Sequence, residues 1–145
     1  MPNVIAIDPG LATGLAWVID GEFGSVQVPY EKTGPALDRF LKRYPDAKVV
    51  CEAFFITRET AKKSQAPWSL KLIGVADYLC DLYGVDPVIL QTPADAKKFA
   101  SDARLKALGW YSGGAGHADD AARHLMLYLA KTKSPHLDLR KIVDT

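Results

Sequence analysis

Three short segments open the chain: residues 3–8 (NVIAID), 14–19 (GLAWVI) and 22–28 (EFGSVQV). Each is apolar and β-rich. DPGLAT separates the first two, and Asp20-Gly21, a strong hairpin signal, separates the last two. The pattern predicts a three-stranded antiparallel meander. Residues 34–44 then place Leu37, Phe40, Leu41 and Tyr44 at helical spacing, and Pro45 stops the helix. Residues 47–52 (AKVVCE) predict a fourth strand, and its connection through a helix predicts parallel pairing.

Over residues 69–83, Leu72, Val75, Ala76, Leu79, Leu82 and Tyr83 line one side of a long helix, and Ile73 and Cys80 widen the apolar surface. Gly74 interrupts it. A second helix could approach there, so a homodimer helix and a buried core helix stay equally open on the pattern alone. Residues 87–90 (PVIL) predict a fifth strand. Thr92-Pro93-Ala94-Asp95 combines a capping hydroxyl, a first-turn proline and an acid, so a helix carrying Lys97 and Lys98 starts there. Gly113, Gly114 and Gly116 predict a flexible loop, and residues 117–131 the last strong helix. The order β-β-β-α-β-α-β-α-α is that expected of one RNase H-like α/β domain over 1–145. Its five-stranded sheet is mixed, antiparallel for the first three strands and parallel afterwards, with flanking helices.

Composition narrows the class. At 145 residues, 48% hydrophobic and 24% charged, the chain fits one globular domain and excludes disordered, collagen-like and coiled-coil architectures. No apolar run approaches the length of a membrane span, and MPNVIAIDPG lacks the pattern of a secretory leader. Cys51 and Cys80 form no CxxC or Cys/His pattern, which predicts buried thiols, no zinc and a cytoplasmic location. The net charge of +1 is uninformative, but its distribution is not. Arg58, Lys62, Lys63 and Lys71 face one acid, Glu59, while Lys97, Lys98, Arg104 and Lys106 face Asp95 and Asp102. For any single lysine pair, a solvated face is the plainer reading.

The candidate chemistry lies in three places. Asp8 ends an apolar strand, and Pro9 and Gly10 turn the chain away at once. Glu52 holds the comparable place on the fourth strand, so adjacent pairing of the two strands would bring the acids to one end of the sheet. Alone, either is an ordinary solvated strand-end residue. The third place is the start of the last helix, where 100° steps put His117, Asp120 and His124 on one face and turn Asp119 away. A helix-capping role explains one acid there but not His117 beside Asp120. Gathered carboxylates repel and raise one another's pKa unless cations neutralise them, and oxygen ligands with one imidazole suit Mg²⁺ or Mn²⁺.

Ile-Ala-Ile-Asp8-Pro-Gly with Thr13 and Gly14, Glu52 after a hydrophobic strand, Thr92-Pro-Ala-Asp-Ala-Lys97-Lys98, and His117-x-x-Asp120-Ala121 together resemble the RuvC-type Holliday junction resolvases. The resemblance spans nearly the whole chain, and its compact form is closer to a bacteriophage version than to a bacterial one. It implies a homodimer, built through helix 69–83, that makes paired Mg²⁺-dependent nicks in opposing strands of a four-way junction. Mn²⁺ is the expected substitute, with two ions per site. The implied catalytic and metal-binding set is Asp8, Glu52, His117 and Asp120. Phe55 is implied to stack on a base near the crossover, and Lys97 and Lys98 to approach the DNA backbone. Arg58, Lys62, Lys63 and Lys106 join them as candidate DNA-binding residues, the stretch after Lys98 being shorter than in the family.

Two other nuclease-scaffold readings remain: a broader flap, fork or single-strand nuclease, and a non-catalytic junction-binding protein. A phosphate-binding module of the actin and sugar-kinase type needs two such lobes, and 145 residues cannot supply them.

Overall fold

A computed structural model describes residues 2–62, 66–113 and 116–145. The hairpin signal at Asp20-Gly21 is realised by positive φ at both residues, 52° and 84°. It joins β2 (Ala12–Ile19) to β3 (Glu22–Pro29). β1 (Val4–Asp8) pairs antiparallel with β2, and β2 with β3. β4 (Lys48–Glu52) and β5 (Ile89–Gln91) add parallel strands on the other side of β1, giving the order β3-β2-β1-β4-β5. This is the mixed α/β sheet of an RNase H-like fold.

Strand alternation sorts the core into two layers. Val4, Ala6, Ala16, Val18 and Val50 face α5 (Gly116–Lys131), meeting Ala121, Ala122, Leu125, Met126 and Leu129. Ile5, Ile7, Leu15, Val49 and Cys51 face the opposite way, onto Leu37 and Leu41 of α1 (Tyr30–Arg43) and Ala76, Leu79 and Cys80 of α2 (Ala66–Leu82). Both cysteines are buried, free thiols, and burial pushes each thiol up, Cys80 to about 11.

Several expectations need correction. α1 begins at Tyr30, not at 34, and carries Pro35 in its interior. Tertiary anchors hold that early turn: the Tyr30 N–H donates to the Leu11 carbonyl at 2.8 Å, the Thr33 hydroxyl to the Pro29 carbonyl at 3.3 Å, and the Tyr30 ring meets Trp68 edge-on. Leu82, expected on the core side of its helix, is 55% exposed. An additional helix, α4 (Asp102–Leu108), follows α3 (Pro93–Phe99). Ser101 caps it by accepting from the Arg104 N–H, and left-handed Gly109 ends it. Leu105 and Trp110 are buried there, and Trp110 stacks on Phe23 of β3 at 4.6 Å. Gly116 opens α5 rather than belonging to the loop, and Gly114 lies outside the described residues. Beyond α5, Leu137 and Ile142 fold back into the core. No helix among the described residues is long and apolar enough to cross a membrane.

Candidate active site

Alternation along β1 puts Asp8 on the same face as Val4 and Ala6, toward α5. Register does the rest. Ile7 lies opposite Cys51 in the parallel β1–β4 pair, so the next residues, Asp8 and Glu52, end neighbouring strands. Glu52 in turn lies opposite Gln91 of β5. Three polar side chains thus finish three adjacent strands, facing one helix.

The turn after Asp8 is clamped. The buried Thr13 hydroxyl donates to the Gly10 carbonyl at 3.0 Å, and the Ser69 hydroxyl at the start of α2 donates to the Pro9 carbonyl at 2.8 Å. Gly14, opposite Asp8 across β1–β2, admits the first turn of α5: a Cβ there would lie 1.7 Å from the His117 carbonyl oxygen. That close approach brings His117 Nδ1 to 2.9 Å from Asp8 Oδ2.

Each acid has its own partner. Asp8 is buried and hydrogen-bonded to half-exposed His117. Glu52 Oε2 lies 2.9 Å from Nε2 of His124, which is 1% exposed. Asp120 Oδ1 meets Arg123 Nε at 3.4 Å, the weak end of hydrogen bonding, while Arg123 also reaches the Ala100 carbonyl and Asp102. Burial first, then the negative charge of Glu52 and further that of Asp120, push the Asp8 carboxyl up from 3.8 to about 7 against the opposing hydrogen bond from His117. Among the described residues, no three carboxylate, imidazole or thiol groups stand close enough together, as they are, to hold a metal ion. The donor set nonetheless suits a hard cation: carboxylate oxygens with one imidazole, around an acid that two further carboxylates press toward its neutral form. Asp120 would have only its long contact to Arg123 to give up.

Two residues escaped the sequence reading. His124 was visible on the right helix face but was not placed in the cluster, and Gln91 becomes visible only through the register of β5. Asp119 also needs correcting. It is buried, not solvent-facing, and its Oδ1 accepts the Ser112 N–H at 2.8 Å.

The candidate DNA-binding residues lie on the connection after β4 and on α3 and α4. Phe55, three residues beyond Glu52, is 61% exposed, whereas Phe54 is half-buried. Arg58 and Lys62 follow on the same connection and are exposed; Lys63 lies outside the described residues. Lys97 and Lys98 are exposed on α3, which starts where β5 ends beside Glu52, with Thr92 Oγ1 accepting the Asp95 N–H as its cap. Lys106, on α4, sits 4.8 Å above the Tyr111 ring.

The strand order and the helices on both faces define an RNase H-like fold. Among solved structures, the chain is similar to T. thermophilus RuvC in complex with Holliday junction substrate, with 18% identity, a TM-score of 0.68, and coverage of 91% of this chain and 96% of that one. It is also similar to a second Thermus thermophilus RuvC structure, with 19% identity, a TM-score of 0.62, and coverage of 91% and 97%. The chain therefore has the fold of the RuvC-type resolvases over most of its length. No protein-family model and no curated protein matches its sequence.

Proposed function

We propose that this protein is a Mg²⁺-dependent endonuclease that resolves four-way DNA junctions by paired nicks in opposing strands, acting as a homodimer. The observation that carries the reading is the register of β1 and β4, which sets Asp8 and Glu52 side by side facing His117 and Asp120 of α5. The RuvC structure of the same fold that is bound to a Holliday junction supports the choice of substrate.

Asp8, Glu52, Asp120 and His117 are the residues that would hold two Mg²⁺ or Mn²⁺ ions. When bound, such ions activate water and stabilise the leaving oxygen in phosphodiester hydrolysis. His117 holds the Asp8 carboxylate through Nδ1, which leaves Nε2 as the one nitrogen that would meet a metal ion or, instead, accept a proton. Phe55 offers an exposed ring for base stacking, and Lys97 and Lys98 offer phosphate contacts.

Cleavage of synthetic four-way junctions, flaps and linear duplexes, with Mg²⁺ and with EDTA, tests the reading. Preferential Mg²⁺-dependent cutting of the junction is expected. Equal cutting of all three identifies a broader nuclease, and junction binding without cutting identifies a non-catalytic protein.

Two further outcomes follow. Replacing Lys97 and Lys98 together by alanine should weaken junction binding about equally for all sequences. It should also lower the slope of log affinity against log salt by roughly 1–2; an unchanged slope in a fluorescence titration places both lysines off the DNA. For the dimer, Leu70, Gly74, Tyr78 and Leu82 recur every four residues along the exposed side of α2, with nothing within 4 Å of a Cβ at Gly74. Tyr78→Glu with Leu82→Glu should convert a dimer to a folded monomer in light scattering. A persistent dimer would put the interface elsewhere.

A further inference from the structure

His124 is almost fully buried, and the mechanism above gives it no role. Its ring is held between two strand ends. Nε2 lies 2.9 Å from Glu52 Oε2, and Nδ1 lies 3.2 Å from Gln91 Nε2. The same amide nitrogen donates to the His124 carbonyl at 2.9 Å. A carbonyl can only accept, so the amide must turn its NH₂ toward the helix, and its second N–H then serves Nδ1. Nδ1 is thereby the acceptor, and the single proton of the neutral ring sits on Nε2, aimed at the Glu52 carboxylate. Gln91 is itself buried, and strand pairing fixes it opposite Glu52. Side chains from β4, β5 and α5 thus form one chain of donors that ends on a candidate metal-binding oxygen.

We infer that His124, locked in one tautomer by Gln91, is a positioning residue that orients the Glu52 carboxylate for metal binding. The inference rests on the nuclease reading of the site, but its tests do not all require DNA cleavage. Outer partners of ligating carboxylates contribute about 10–100-fold to metal affinity.

The first measurement is the ¹⁵N spectrum of the histidine rings in the folded, metal-free protein at a single pH. A pure Nε2–H form of His124 is expected in the wild type and a mixture of tautomers in Gln91→Met. An Nδ1–H form in the wild type overturns the proposal. The second is Mn²⁺ binding by calorimetry. His124→Phe, which keeps ring volume but has no donor, should bind Mn²⁺ about 10–100-fold more weakly. His124→Gln, which returns an N–H toward Glu52, should recover most of that loss. Wild-type Mn²⁺ affinity in folded His124→Phe overturns the proposal, as does a wild-type protein that binds no Mn²⁺. If His124→Phe fails to fold, Gln91→Met decides the matter by the same two readouts: mixed tautomers with weakened Mn²⁺ binding support the proposal, and an unchanged ring and affinity overturn it. A wild type that binds Mn²⁺ through this relay but cuts no junction overturns the nuclease reading and leaves the positioning role standing.

Discussion

Asp8→Asn should abolish junction cleavage, by on the order of 10³-fold, while making the metal-free protein more stable at neutral and alkaline pH. Both effects have one cause. Asp8 is buried beside Glu52 and within the field of Asp120, and its carboxyl is pushed up from 3.8 to about 7 in the folded state. Between those values the folded protein holds a proton that the unfolded chain has released, so stability falls as pH rises through this window and stays reduced above it. Asparagine keeps the shape and an acceptor for His117 but carries no charge. In EDTA, the unfolding free energies of the two proteins should coincide near pH 4 and diverge toward pH 8, with the variant ahead by roughly 1–3 kcal/mol. Mg²⁺ should raise the melting point of the wild type far more than that of Asp8→Asn, because only the former retains the full set of oxygen ligands. A variant that is less stable than the wild type at pH 8 in EDTA, or that cuts at the wild-type rate, would contradict this account of Asp8.

The second large effect belongs to a residue with no side chain. Gly14→Ala would set a methyl group 1.7 Å from the His117 carbonyl oxygen, which belongs to a helix backbone that cannot step aside locally. Either α5 lifts from β2 at its first turn or β2 bends. Overpacking of this kind costs about 2–3 kcal/mol, a melting-point drop of roughly 6–12 °C. Cleavage should suffer beyond that loss, since His117 and Asp120 ride on the displaced turn and a shift of about 1 Å in a reacting group costs about 10²-fold. Single-turnover cleavage, measured well below the variant's melting point, separates the two effects. Wild-type stability and rate together would mean that α5 does not depend on this close approach.

Much of this site was legible from residue types and periods. A strand that stops at Asp8-Pro-Gly and another that stops at Glu52 put two acids at sheet ends, and the parallel pairing implied by the intervening helix makes them neighbours. The 3.6-residue period of α5 puts His117 and Asp120 on the side that meets them. What stayed hidden depends on how elements meet. His124 shares the helix face, but its engagement with Glu52 needs the register of β5, which brings Gln91 alongside. The helical period turns Asp119 away from the sheet but says nothing of its bond to the Ser112 N–H. The early start of α1 rests on contacts with Leu11 and Trp68, far off in sequence, which the spacing of Leu37, Phe40, Leu41 and Tyr44 does not reveal. α4 differs: Ser101 and Gly109 are ordinary start and stop signals, but seven residues carry too little periodicity to stand out.

As proposed, a dimer of this chain uses the Asp8–Glu52 site to nick two opposing strands of a four-way junction in one encounter. A supercoiled plasmid that extrudes a cruciform tests it most directly. With Mg²⁺, two cuts made within the lifetime of one complex convert the circle straight to linear DNA, and this product should appear without prior build-up of nicked circle and vanish in EDTA. Nicked circle as the lasting product, cutting that persists in EDTA, or no cutting at all would contradict it.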